Sequence, residues 1–270
     1  MLFLHLIINM KLKNKKLILI SNDDGIDAAG LHSLIDMVKP FGDVFIVAPE
    51  FGQSGMSHSI SLLEPLRTKR LKSCNGIEIV SVKGTPVDCV KLAINQLLPR
   101  KPDLMVSGIN HGSNSAISII YSGTMGAAIE ASLYGIPSIG FSVLDHKKSA
   151  DFTIAVKYGR KVVEDVLQNG LPEQVALNVN FPVVKETDFK GFKICKQTTG
   201  VWKEEFIKRT DPYGGDYYWL TGDFNNFEPE NVESDEWALA NNYASIVPVK
   251  IDFTEYNSLI ELKKRYKNGS

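Results

Sequence analysis

The stretch "LILISNDDGID", Leu17–Asp27, runs four apolar residues into two adjacent aspartates and a glycine. An apolar run this short, without strict alternation, reads as a strand covered on both faces, the pattern of a parallel sheet. Its polar end needs a separate explanation. Neighbouring carboxylates repel each other and lose hydration in a core. A turn alone is served by one Asp or Asn with the Gly, and a solvated Asx-turn is the plainer alternative for the pair. A divalent cation between the two side chains accounts for both. Asp23 and Asp24 are hard oxygen ligands, suited to Mg²⁺ or Mn²⁺. Adjacent side chains on a strand point to opposite faces, so both reach one ion only where the strand ends and the backbone turns. Gly25 permits that turn.

Further runs of the same kind follow: Asp43–Pro49, Asp103–Gly108, Pro137–Val143 and Val175–Pro182. Gly76–Val82 alternates better and is expected near a sheet edge. Helical patterns lie between them. Leu31, Leu34, Ile35 and Val38 form one apolar stripe, ending before Pro40. "TPVD" sets Thr85 as N-cap, Pro86 in the first helical position and Asp88 in the first turn. Helices are also predicted over Thr124–Tyr134 and Asp151–Asn169. Strand–helix alternation through Pro182 predicts a doubly wound α/β fold with a mostly parallel, Rossmann-like sheet. From Lys190 to Glu236 the chain turns aromatic and charged, with Gly-Gly and Asp-Pro turns, and predicts antiparallel hairpins leaving the core. Tyr243–Thr254 reads as a returning strand and the last residues as a short amphipathic helix. The expected division is an extension over 1–14, a catalytic core over 15–189, a hairpin oligomerisation region over 190–240, and a strand and helix over 241–270 that return to the core or to a partner subunit.

Thirty basic against thirty-one acidic residues give a net charge of −1. That balance argues against a nucleic-acid polymer or an anionic membrane as partner. The three cysteines, Cys74, Cys89 and Cys195, form no CxxC pair. They fit free thiols in a reducing compartment, so a cytoplasmic protein is expected. At the N-terminus the basic residues follow the apolar run, the reverse of a signal peptide. Residues 1–9 read as an add-on, with Met10 as a possible natural start.

Ligands of open α/β sheets bind beyond the carboxyl ends of the strands. "SNDDG", "APEFGQSGMSHS", "SGINHGSN" and "YSGTMGA" fall at such positions and are expected to share one site. Ser54 sits among glycines, and Gly55 lets backbone approach a ligand; its hydroxyl suits a metal or a phosphate. Asn110 and Asn114 offer neutral amide oxygens to a hard cation or NH₂ groups to a phosphate. His111, a loop histidine with no evident partner, reads as solvated. Ser122, Gly123 and Thr124 open a helix whose free N–H groups suit an anion. The chain has no G-x-G-x-x-G, GxxxxGK[ST] or G-x-S-x-G, which argues against a dinucleotide-binding dehydrogenase, a P-loop NTPase and an α/β-hydrolase.

"NDDG", "APEFGQSG", "VKGTPVDCVKLAI", "DLMVSGINHGSN", "YSGTMGAAIEA" and "GIPSIGFS" together resemble, in order and spacing, the SurE survival-protein family. The resemblance is close over Lys16–Val143 and looser beyond. It implies a metal-dependent hydrolase of nucleoside 5′-monophosphates, extending to 3′-monophosphates, with one divalent cation per subunit held by Asp23, Asp24, Ser54 and Asn110. Asp23, Asp24 and Asn110 are then the catalytic residues. It also implies that Asn22, Gly55, Ser107, Gly108, Asn114 and Ser122–Thr124 surround the phosphate, and that the chain forms a homodimer or homotetramer. Gln53 stands where many members carry Arg, and Ser118 where an acidic residue is common. Hydrolysis of other phosphate esters or short polyphosphate, and a non-catalytic nucleotide-binding module, remain the alternatives.

Overall fold

The computed structural model describes residues 15–72, 76–203 and 205–267. The N-terminal extension, the start at Met10 and Cys74 lie outside them. The strands are β1 (Lys16–Ser21), β2 (Gly42–Pro49), β3 (Arg67–Leu71), β4 (Glu78–Lys83), β5 (Leu104–His111), β6 (Ser138–Val143), β7 (Val175–Phe181), β8 (Phe192–Ile194) and β13 (Ala244–Lys250). They form one nine-stranded sheet in the order β3-β4-β2-β1-β5-β6-β7-β13-β8. From β4 to β7 every pairing is parallel. Strand β3 adds antiparallel at one edge; β13 adds antiparallel to β7, and β8 forms the other edge, parallel to β13. The α/β class and mostly parallel sheet match the expectation, and β4 lies one strand in from the edge.

Helices cover both faces. α1 (Ala29–Val38) and α4 (Thr153–Asn169) pack on one, α2 (Pro86–Leu92) and α3 (Gly123–Leu133) on the other. The period of two in β1 divides its side chains between the two cores. Ile18 and Ile20 join Leu34, Val106 and Phe141, whereas Leu19 joins Val90, Met105 and Ala128. All of these are fully buried. Thr85 caps α2 in a reciprocal box with Asp88, as the "TPVD" pattern predicts.

The chain leaves β1 towards β2 and β4, then returns beside β1 as β5 and continues through β6 and β7. The order therefore reverses between β1 and β5. That reversal opens a crevice beyond their carboxyl ends, the standard ligand position of such sheets. "NDDG" leaves β1 at this crevice, and β5 ends there at Asn110 and His111.

Beyond β8 two antiparallel pairs project. β9 (Gly200–Lys203) pairs with β12 (Asp223–Asn226), and β10 (Phe206–Thr210) pairs with β11 (Asp216–Leu220). The hairpins predicted from the aromatic run are present. The short α5 (Asp235–Ala240) follows, and α6 (Tyr256–Tyr266) ends the described chain. Among the described residues no helix is long and apolar enough to cross a membrane.

Candidate active site

Strand β1 ends at Ser21, and the next four residues fold into a tight turn. Asn22 Nδ2 donates to the Gly25 carbonyl at 2.8 Å. Gly25 has φ +99°, and a Cβ there would meet the Phe51 and Gly52 backbone at 3.1 and 3.2 Å. Both the backbone angle and the close approach require glycine. The turn lets consecutive aspartates gather at the mouth of the crevice.

Asp23 is buried against the start of α3. Its Oδ1 accepts a hydrogen bond from Thr124 Oγ1. A Cβ on Gly123 would lie 2.8 Å from Asp23 Cβ and 3.0 Å from Oδ2, so glycine is needed for the helix to come this close. Ser122 caps the helix, its Oγ accepting from Met125 N at 3.0 Å. Burial, reinforced by the neighbouring Asp24 charge, lifts the Asp23 carboxyl to about 6 despite the opposing hydrogen bonds from Thr124. Burial also raises Asp24, against the attraction of His111. Two carboxylates raised in this way fit a place where an ion of opposite charge belongs.

The donor set tests that fit. Asp24 Oδ2, Asn22 Oδ1 and Ser107 Oγ are buried without a hydrogen-bond partner. Unpaired buried oxygens are rare because each costs about 1–3 kcal/mol. Asn110 Nδ2 donates to the Gly112 carbonyl at 2.8 Å, which commits its NH₂ and leaves its oxygen as an acceptor. Among the described residues no three His, Cys, Asp or Glu side chains gather as a metal-binding group. The available set is two carboxylates with neutral oxygens, which suits Mg²⁺ or Mn²⁺ and not a thiolate or imidazole metal.

Asp23, Ser54, Gly55, Asn110, Asn114 and Ser122 line one cavity of about 630 Å³. Ser107 and Thr124 are fully buried, and Asn22 nearly so. Thr124 spends its hydroxyl on Asp23, so it orients a carboxylate. Gly108 serves packing: a Cβ there would lie 2.3 Å from the Phe141 carbonyl. Asn114 is fixed by a buried amide network. Its Nδ2 donates to Ser142 Oγ at 2.7 Å, its backbone N–H to Asn180 Oδ1 at 2.8 Å, and its carbonyl accepts from Asn178 Nδ2 at 2.7 Å.

The loop carrying Ser54 is tied down at several points. Gln53 N–H donates to the Asp23 carbonyl at 2.6 Å, and Ser57 N–H to the Tyr121 carbonyl at 3.1 Å. His58 Nε2 meets Glu130 Oε2 at 2.7 Å, and Lys91 Nζ meets Glu130 Oε1 at 2.8 Å. Burial favours the protonated Glu130, but the hydrogen bonds from His58 and Lys91 outweigh it and hold its pKa below the usual value. A lowered acid stabilises the fold above its unfolded pKa near 4.5, and that stability is lost as pH falls through the lower folded value. Glu130→Gln is therefore expected to destabilise the protein by about 2 kcal/mol at neutral pH. It should also flatten the acid limb of the stability curve below pH ~4.5. Urea melts from pH 3 to 7 check both; equal acid limbs for the two proteins would refute the assignment.

Several contributors escape sequence reasoning. His111 is no solvated loop residue: it ends β5, packs edge-on against Phe152 at 5.2 Å and lies beside Asp24. His146 covers Gly112, where a Cβ would meet its ring at 2.3 Å, and it lines the cavity. Asp235, at the start of α5, accepts from Ala116 N–H at 2.9 Å and from Thr198 N–H at 2.9 Å. It thereby ties the segment after Asn114 to the C-terminal region. The Ser-Asp-Glu sequence signals the α5 cap, but nothing local reveals its distant partner. Part of the cavity wall is also remote: Trp202, Glu205, Leu220, Thr221 and Gly222 come from the hairpin region.

The family described as "Survival protein SurE" matches residues 18–204, which include Asp23, Asp24, Ser54, Asn110 and the start of α3. The chain belongs to the SurE family. It is 52% identical over 247 residues to a protein of Flavobacterium psychrophilum named 5′-nucleotidase SurE, covering 91% of this chain and 96% of the relative. It is 50% identical over 252 residues to 5′-nucleotidase SurE of Christiangramia forsetii, covering 93% and 96%. Among solved structures, the SurE protein from Aquifex aeolicus superposes with a TM-score of 0.79 at 36% identity, covering 93% of this chain and 99% of that one. The SurE match thus extends past the close motif region into the looser C-terminal half.

Proposed function

We propose that this SurE-family chain is a divalent-metal-dependent phosphomonoesterase that converts nucleoside 5′-monophosphates to nucleoside and phosphate, with 3′-monophosphates as a second substrate class. The observation that carries the reading is the Asp23–Asp24 pair at the β1/β5 reversal, with Asp23 buried against the start of α3 and lining a cavity of about 630 Å³. Its naming by relatives at about half identity supports the same activity. Asp23, Asp24, Ser54 and Asn110 would hold one Mg²⁺ or Mn²⁺. When bound, such an ion neutralises phosphate charge and lowers the pKa of water. The residues do the rest. Thr124 orients Asp23. Met125 N–H is spent on Ser122 Oγ and Thr124 on Asp23, so the Gly123 N–H at the start of α3 takes a phosphate oxygen. Asn114, locked by Asn178, Asn180 and Ser142, presents a fixed polar edge. Phosphoryl transfer rests chiefly on such positioning and charge stabilisation. A panel of nucleoside and sugar monophosphates and short polyphosphate, assayed with Mg²⁺, Mn²⁺ and excess EDTA, tests the reading. Nucleotide hydrolysis that EDTA abolishes and metal restores is expected; undiminished turnover in EDTA would overturn it.

Two further features belong to this proposal. Cys89 and Cys195 are free, buried thiols, and burial pushes Cys195 up to about 11. Such inert thiols support a reducing, cytoplasmic setting. Residues 190–240 are read as an assembly region. Phe206, Tyr217, Tyr218 and Trp219 are exposed on the β10–β11 pair, and α6 has no buried residue. Isolated hairpins are marginal, and aromatics are enriched at interfaces. A homodimer or homotetramer is therefore proposed. Changing Tyr217, Tyr218 and Trp219 together to Ser should shift the protein towards monomer in sedimentation runs. A wild-type monomer at micromolar concentration would refute the assembly.

A further inference from the structure

The cavity joins a polar set, Asp23, Ser54, Asn110 and the start of α3, to a wall supplied by the hairpin region. Tyr121, the residue just before the α3 cap, lines it as well. On that wall Trp202 leans edge-on against Phe224, with ring centroids 6.0 Å apart, and remains 36% exposed. Tyr121 is 50% exposed. A half-exposed aromatic ring beside a polar site offers a flat apolar face on which a planar ligand can stack. The hairpin is also held in place at this point. Thr221 N–H donates to the Glu205 carbonyl at 2.7 Å, and a Cβ on Gly222 would lie 2.5 Å from the Lys203 carbonyl.

At about 630 Å³ the cavity is far larger than a phosphate requires and falls in the range of small-molecule sites. We propose that Trp202 and Tyr121 form a nucleobase subsite, so that the hairpin selects a flat aromatic base while the β1/β5 crevice holds the phosphate. The proposal rests on the phosphomonoesterase reading for the position of the phosphate. It separates nucleotides from sugar phosphates, which the metal end treats alike. Trp202 recognises by stacking, which tolerates different bases because every base has a π-face. Broad acceptance of purine and pyrimidine monophosphates follows. Glu205 and Thr221 line the same wall and offer a carboxylate and a hydroxyl to the base edge or ribose.

The test compares AMP with ribose 5-phosphate, which keeps phosphate and ribose but lacks the base. Trp202→Ala is expected to raise KM for AMP about 10- to 100-fold, the range of a lost base–aromatic stack. Its kcat should stay near wild type, and its kcat/KM for ribose 5-phosphate within about twofold. Trp202→Phe should restore most of the AMP affinity, and Tyr121→Ala should repeat the selective loss. Calorimetric titration with adenosine in EDTA needs neither metal nor turnover; wild type should bind, and Trp202→Ala should lose most of that binding. Equal effects of Trp202→Ala on both substrates, or on neither, would overturn the subsite. If wild type hydrolyses neither compound, the phosphatase reading fails, and the adenosine titration still decides the subsite by the same loss or its absence.

Discussion

Asp23→Asn and Asp24→Asn should each lower kcat/KM for AMP by about three orders of magnitude. Metal charge stabilisation supplies several kcal/mol in the transition state, at 1.36 kcal/mol per decade. The fold should survive. Asn at position 23 keeps an oxygen to accept from Thr124 and removes a carboxylate that burial and Asp24 have pushed up to about 6. A raised acid is a destabilising charge at neutral pH, because the folded state resists its ionisation. In EDTA, Asp23→Asn is therefore expected to melt at or above the wild-type temperature while being nearly inactive. Loss of activity with retained or improved stability is the pattern of residues selected for chemistry. Thermal melts in EDTA and activity over a Mn²⁺ titration check it. A variant retaining a tenth of wild-type activity, or one that unfolds, would remove the pair from the metal site.

The parts of this fold that the sequence states openly are those where one local force dominates. Lys16–Ser21 is the strand that the apolar run from Leu17 predicts, because a parallel strand buried on both faces carries apolar residues without alternation. Thr85 caps α2 because the box closes within four residues. Strand β3, Arg67–Leu71, is invisible by the same logic. It reads "RTKRL" and is nearly all exposed, an edge strand whose charges discourage further pairing. One apolar residue, Leu71, packs on the core at its end, and the rest is held by the β4 backbone and the Arg70–Glu78 ion pair.

The candidate site divides in the same way. "NDDG" and "SGT" advertise themselves, since adjacent carboxylates and a glycine at a helix start are odd without a ligand. Thr124, read as a phosphate contact, turns inward to Asp23, because its side chain faces the buried side of the first helical turn. Ser107 is buried at 0% with no partner, which only the packed sheet reveals. His111, His146 and Trp202 reach the cavity from elements far apart in the chain. Their roles depend on which elements meet, and single-residue chemistry carries no record of that.

Gly123→Ala should cripple the same site without touching a charge or a hydroxyl. Gly123 opens α3 with ordinary helical backbone, so alanine brings no conformational strain and even improves helix propensity. What it brings is a methyl group 2.8 Å from Asp23 Cβ, 3.0 Å from Asp23 Oδ2 and 3.1 Å from Pro86 Cγ. None of these atoms yields easily. Asp23 Cβ is tied to the β1 turn, and Pro86 to the start of α2. Either the carboxylate or the helix terminus must move by several tenths of an ångström, and both belong to the site. Misplacement on the ångström scale costs about 10²-fold in rate. Turnover of AMP is expected to fall to that degree, with weaker Mn²⁺ binding by calorimetry and a near-native circular dichroism spectrum. Gly140→Ala is the control. There the added methyl meets the Met125 Sδ, a flexible side chain that can turn aside, and activity should hold within a few-fold. Equal activity of the two variants would mean that the approach of α3 to Asp23 does not set the geometry of the site.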